Sequence, residues 1–217
     1  MIFIEFSIFN ILIFFSGMVL SFFLFGLTKK YNTSKDSKIG IFYLMFNSLE
    51  TKPLLWYLTF HTFLSVIVLG ADISYQFKLF YIVIFSLMQC LAFIDLKCYL
   101  IPNKIVLPSM LLGSLMTFFI GDFSSHILGG LIGFGVIFIV ALVNPRGMGG
   151  GDIKYAFLAG LLVGKELVLF TILSGLIIGG IISLFLLSKK LISRKSYLPY
   201  APHLFMATIV FVMYKLF

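Results

Sequence analysis

Long apolar runs separated by short polar stretches set the pattern of this chain. The runs fall at about Phe6–Leu27, Leu54–Gly70, Leu79–Ile94, Ile105–Ile120, His126–Val143, Ile153–Val163, Leu167–Leu187 and Tyr200–Leu216. The hydrocarbon core of a bilayer asks for roughly 20 apolar residues per helix, so each run predicts one membrane helix. Ile153–Val163 is short and borrows length from a glycine-rich lead-in. The alternating apolar and polar positions of an outer-membrane barrel are missing. The pattern predicts an all-α polytopic membrane protein of about eight transmembrane helices. The first run lacks a basic n-region and a cleavage pattern, and it reads as a retained helix.

One sizeable polar stretch interrupts the pattern, the basic loop 28–53, Thr28–Pro53. It holds Lys29, Lys30, Lys35, Lys38 and Lys52 around an apolar middle, Ile39–Leu49, suited to lying on the membrane surface as a short helix. The chain divides into an N-terminal membrane region, 1–78, which carries this loop, and a core, 79–217. The two read as one integrated unit, without internal repeats or a soluble domain.

Composition supports the same class. The chain is 61% hydrophobic and 11% charged, more apolar surface than a soluble domain of this length can hide. A formal charge of +8 would suit nucleic acid, but the basic residues sit in short loops, where membrane topology accounts for them. With eight spans and the N-terminus outside, all sixteen basic residues except Lys78, Lys165 and Lys215 fall on the cytoplasmic side. That bias predicts an N-out, C-out topology, because loops rich in Lys and Arg stay in the cytoplasm.

The same topology sorts the acids. Glu5, Asp72, Asp122 and Glu166 fall outside. Asp95, in Phe93-Ile94-Asp95-Leu96-Lys97, ends the third span on the cytoplasmic side. Asp152, in Gly147-Met148-Gly149-Gly150-Gly151-Asp152-Ile153-Lys154, opens the sixth span on that side too. A lone acid at a bilayer edge is usually a solvated boundary residue. Two on one face, each in a distinctive setting, point to a shared site. Two nearby carboxylates resist ionising together, so one holds a proton while the other does not. The ionised member can draw a proton from water and the protonated member can polarise a carbonyl. That pairing is suited to amide hydrolysis without a metal.

Gly149 and Gly151 supply backbone freedom or room for a close neighbour. Asp152 gains from the positive end of the helix it opens. Pro102, in Ile101-Pro102-Asn103, fixes a turn at the membrane surface. Lys97 and Lys154 each follow an Asp by two residues and read first as topology-setting charges, with Lys154 a candidate supporting residue. His61, His126 and His203 are scattered, and Cys90 and Cys98 read as unpaired packing residues, so no ligand set for a metal is visible.

These motifs resemble the type IV prepilin peptidase family, polytopic aspartic peptidases of the Gly-x-Gly-Asp kind that include the competence-pilin peptidases. Asp95 with Ile101-Pro102-Asn103 resembles the family's first motif, and Gly149-Gly150-Gly151-Asp152-Ile153-Lys154 matches the second. Leu198-Pro199-Tyr200-Ala201-Pro202 resembles its Pro-aromatic-Gly-Pro element. The resemblance runs from roughly Leu79 to the C-terminus. The first third departs from it: Gly17–Leu24 is similar to the family's first-helix stretch but lacks its Asn, and loop 28–53 lacks the two Cys-x-x-Cys pairs that would bind zinc.

The resemblance implies catalytic Asp95 and Asp152 and an active site facing the cytoplasm of a bacterial inner membrane. It implies prepilin-like substrates, whose leaders are short, basic and end in Gly before a hydrophobic helix. No cofactor is expected for peptidase activity. S-adenosylmethionine enters only if the N-methyltransferase activity of many relatives is retained. Membrane lipid is an expected partner and nucleic acid is not, with self-association left open. Two alternatives stand beside this reading. One is a proton- or cation-coupled transporter that uses the two aspartates. The other is a non-catalytic pilus-assembly protein.

Overall fold

The computed structural model describes residues 8–32, 53–145, 147–193 and 196–217. Eight helices are present among them and no strand: α1 Ile8–Asn32, α2 Pro53–Gly70, α3 Tyr75–Cys98, α4 Asn103–Ile120, α5 Phe123–Val143, α6 Gly150–Val163, α7 Val168–Ser188 and α8 Ala201–Leu216. Each corresponds to one apolar run of the sequence. Most of the basic loop, residues 33–52, lies outside the described residues, as does the predicted surface helix at Ile39–Leu49.

The helices are not equivalent as membrane spans. Four are long and apolar enough to cross: Phe9–Gly26 within α1, then α3, α5 and α7. α6 has 14 residues, roughly 21 Å at 1.5 Å per residue, against a hydrocarbon core of about 30 Å. It can be short because it does not face lipid. Tyr155, Ala156, Leu158, Ala159 and Leu161 are all fully buried.

α3 is the axis of the bundle. It packs on α1, α2, α4 and α8, and its interior face from Phe80 to Ile94 is almost entirely buried. Burial on several sides explains why this helix carries few charges before its last turn. The lipid-facing positions elsewhere are large and apolar: Val143, Leu184, Phe118 and Phe119 are among the most exposed side chains. In water such a surface would drive association. In a bilayer it is the solvated face.

α5 and α6 meet almost backbone to backbone. A Cβ on Gly129 would lie 2.5 Å from the Gly160 carbonyl oxygen and 2.6 Å from the Gly164 carbonyl carbon. One on Gly133 would strike the Ala156 carbonyl. Gly129 and Gly133 on α5 therefore face Ala156 and Gly160 on α6, two small-x-x-x-small pairs whose missing side chains let the helices close. This contact fixes the position of α6, and with it Asp152, inside the bundle.

Candidate active site

Asp95 stands inside α3, where the sequence pattern ends the helix at Ile94. The helix runs on through Cys98 because its last turn remains sheltered. Lys97 is buried, with its ammonium 5.1 Å from the centre of the Phe93 ring and 5.6 Å from that of Phe25. Cation–π attraction of this kind lets an apolar pocket hold a charge. Tyr99 then closes the helix in the left-handed region, φ 52°, with its N–H donating to the Asp95 carbonyl at 2.9 Å. A bulky residue rarely adopts that conformation. Asp95 is consequently buried at 5% exposure, not solvated at a helix end.

The Asp95 carboxylate accepts a hydrogen bond from the Ala201 N–H at 3.1 Å. Ala201 is the first residue of α8, so this N–H has no partner within its own helix. Asp95 caps α8 from a different helix, and the positive end of α8 favours a negative charge there.

Asp152 lies in the first turn of α6, which starts at Gly150. Its Oδ2 accepts from the Gly149 N–H at 2.8 Å, and its own N–H donates to the Gly149 carbonyl at 3.1 Å. The two bonds lock the carboxylate over the helix start, where the dipole again favours an anion. The depth of α6 is set by Tyr155, whose hydroxyl donates to the Met88 carbonyl of α3 at 3.1 Å.

The structure brings the two aspartates to one cavity of about 280 Å³. Tyr99, Met148, Gly149, Tyr197, Pro199 and Tyr200 also line it. Both carboxylates face this one cavity, from α3 and from the start of α6. The Tyr200 hydroxyl donates to the Ile172 carbonyl of α7 at 3.3 Å, which ties the cavity-lining segment 197–200 to α7.

The remaining sequence candidates separate. Gly149 lines the cavity, but its backbone is extended at φ −92°, a conformation open to any residue. Gly151 faces away and makes room for Ile101, whose Cβ would lie 2.7 Å from an added Cβ. Pro102 is the N-cap residue of α4, and its carbonyl accepts from the N–H groups of Ile105 and Val106. Lys154 donates to the Asn103 side-chain oxygen at 2.6 Å and so clips the start of α6 to the start of α4. These last three shape the site without lining it. His203 also stays out of the cavity, with its Nδ1 2.8 Å from the Pro199 carbonyl oxygen. Among the described residues no group of His, Cys, Asp or Glu could hold a metal ion.

Sequence reasoning missed the Ala201 N–H and the lining tyrosines Tyr99 and Tyr197. A backbone donor has no side-chain signature, and only the prolines at 199 and 202 mark that a helix begins there. The left-handed turn at Tyr99 has no sequence signal either, since glycine or asparagine usually fills such a position.

Fold and site together define a helical membrane protein that holds two carboxylates in one cavity at one end of its bundle. Residues 82–184 match the model of the type IV leader peptidase family, a segment that includes both aspartates and the α5–α6 contact that positions one of them. Over this segment, just under half of the chain, the protein is similar to that family. No curated protein and no solved structure matches the chain.

Proposed function

We propose that this protein is a membrane-embedded aspartic endopeptidase that removes the leader from type IV prepilin or pilin-like precursors at the cytoplasmic face of a bacterial inner membrane. The observation that carries the reading is the shared cavity of Asp95 and Asp152. Each acid sits at a helix N-terminus, Asp95 at that of α8 and Asp152 at that of α6. Two positive helix ends favour one net negative charge on the pair, while the proximity of the acids disfavours two.

In that state the ionised carboxylate takes a proton from a water as the water oxygen attacks the scissile carbonyl carbon. The protonated carboxyl donates to the carbonyl oxygen as it gains charge. Collapse of the resulting gem-diol breaks the C–N bond, and a proton passes to the leaving amine. The reaction ends with a new carboxyl terminus on the leader and a new amino terminus on the mature protein. Both aspartates finish the cycle with one proton between them. Neither a metal nor a covalent intermediate is required by this sequence of steps.

The N-out, C-out topology belongs to the same proposal. Lys97, Lys154 and Lys189 lie toward the aspartate end of the bundle, and Lys78 and Lys215 toward the other, where Lys215 Nζ lies 2.9 Å from His126 Nε2. The positive-inside rule then sets the aspartates toward the cytoplasm. A transporter reading asks for acids spaced along a path across the membrane, and two acids in one cavity at one end speak against it. Methylation of the new amino terminus is not part of the proposal.

The test is co-expression with a candidate prepilin. A shift of the precursor to the size of the mature protein, absent when this protein is omitted, is expected. A precursor that keeps its leader while this protein is present and folded would contradict the proposal.

A further inference from the structure

His126 lies in the first turn of α5, at the end of the bundle opposite the aspartates, and is fully buried. Both of its ring nitrogens are engaged. Nδ1 lies 2.6 Å from the Leu161 carbonyl oxygen, in the last turn of α6. Nε2 lies 2.9 Å from Lys215 Nζ, in the last turn of α8. One side chain of α5 therefore ties together the far ends of α6 and α8. These are the helices whose first turns carry Asp152 and the N–H that bonds Asp95.

The chain builds this contact from the end of α6. Were that helix to continue, the Leu161 carbonyl would accept from the Lys165 N–H. α6 stops at Val163, and the Lys165 N–H donates to the Ser125 carbonyl at 3.0 Å instead. His126 supplies the donor that the Leu161 carbonyl has lost. Gly164 turns the chain here at φ 84°, and a Cβ on it would lie 3.1 Å from Ser125 Oγ and 3.8 Å from Lys215 Nζ. α8 packs on α3, α6 and α7, and through Lys215 it also reaches α5. Lys215 as a whole is exposed at the rim, so its ammonium has water within reach once it leaves His126.

The partners fix the state of the ring. A carbonyl only accepts, so Nδ1 carries a hydrogen, and an ammonium only donates, so Nε2 presents its lone pair. The imidazole is neutral in this arrangement. The pair holds one positive charge, on lysine as the stronger base. A proton on Nε2 would remove the acceptor and set two cations against each other. The other charged groups at this end are Asp122, which caps α5 by accepting from the Ser125 N–H at 3.3 Å, and Lys165 and Glu166 in the turn after α6. α4 and α7 also pack on α5 and bring no charged residue to this end. We propose that His126 and Lys215 form a proton-operated latch: the neutral ring holds the far end of α8 to α5, and protonation of Nε2 ejects Lys215 Nζ and frees the last turn of α8. On the proposed topology the latch reads pH on the side of the membrane opposite the aspartates. It stands whether or not the protein cleaves precursors.

The direct test follows a nitroxide label on the full chain in liposomes, at about pH 7.5 and about pH 5.5, across the ordinary range of imidazole. One sample carries the label at Tyr214→Cys in the last turn of α8, and another at Val143→Cys at the other end of α5; both side chains are exposed. Protein without an added cysteine gives the background from Cys90 and Cys98. Acid should bring out a mobile component at position 214 that disappears on return to neutral pH, with no change at position 143. In His126→Gln and in Lys215→Met the spectrum at position 214 should be the same at both pH values. No acid response at position 214, an equal response at position 143, or a response that survives in either variant would overturn the latch. Should His126→Gln fail to fold, Lys215→Met, at the exposed rim, carries the comparison.

Thermal unfolding gives an independent readout. The unfolded chain accepts the proton and the latched chain refuses it, so the contribution of the latch is whole at neutral pH and is lost on acidification. Between the same two pH values the unsubstituted protein should lose about 3 °C more in Tm than His126→Gln does. The carboxyl groups titrate in both proteins and cancel in the comparison. An equal loss in the two proteins would contradict the inference.

Discussion

Asp95 and Ala201 are joined by a carboxylate–amide hydrogen bond of 3.1 Å that spans more than a hundred residues of sequence. The bond gives Asp95 a structural duty, capping α8, alongside the proton transfer proposed for it. It also means that the acid cannot drift from the start of α8 without leaving a buried N–H unsatisfied.

The two duties separate by substitution. Asp95→Asn keeps an oxygen for the Ala201 N–H, whereas Asp95→Ala removes it. Loss of a cap costs about 1 kcal/mol, so Asp95→Ala should unfold at a lower temperature than Asp95→Asn in the same detergent. Equal unfolding temperatures would show that the cap contributes nothing to the fold.

The α5–α6 contact should be the least forgiving part of the core. A side chain at Gly160 would meet the Gly129 backbone on the facing helix, and backbone cannot rotate aside as a side chain can. Gly160→Val should destabilise the protein by about 2 kcal/mol through overpacking. It should also lower activity, because α6 carries Asp152. Gly180→Ala on exposed α7 meets nothing within 4 Å and should be neutral or slightly stabilising. Thermal unfolding of both variants checks the contrast, and equal effects would contradict the packing account.

The helices were legible in the sequence because lipid and core both select apolar side chains, so every run became a helix at nearly the expected place. Asp95 and Asp152 were legible for the converse reason, as carboxylates that an apolar setting does not otherwise tolerate. Depth was not legible. Asp95 reads as a boundary residue, but Lys97 finds the Phe25 and Phe93 rings and the helix continues past it. Gly149 and Gly151 look alike in the sequence, yet one lines the cavity and the other admits Ile101, a difference set by the direction α6 faces. Pro102 and Lys154 carry no mark that distinguishes lining a site from bracing it.

The cofactor expectation is tested by metal removal. Strong chelators should leave leader cleavage unchanged, since the proposed chemistry uses only the two carboxyls and water. Activity that is lost on chelation and restored by zinc would contradict this.

The pairing of the acids predicts a characteristic pH profile. Cleavage needs one carboxyl protonated and the other ionised, so kcat/KM should fall toward low pH, where both hold protons, and toward high pH, where neither does. A rate that rises to a plateau and stays there at high pH would show that no protonated carboxyl is needed.

The central claim is that Asp95 and Asp152 work as one unit on a precursor peptide bond. The most direct measurement is single-turnover cleavage of a leader-bearing precursor in liposomes by the purified protein and by its Asp95→Asn, Asp152→Asn and doubly substituted variants, each first shown to be folded. Residues that act together lose function together, so each single substitution should abolish cleavage as completely as the pair. Cleavage at the wild-type rate by either folded single variant would remove that aspartate from the chemistry and contradict the account.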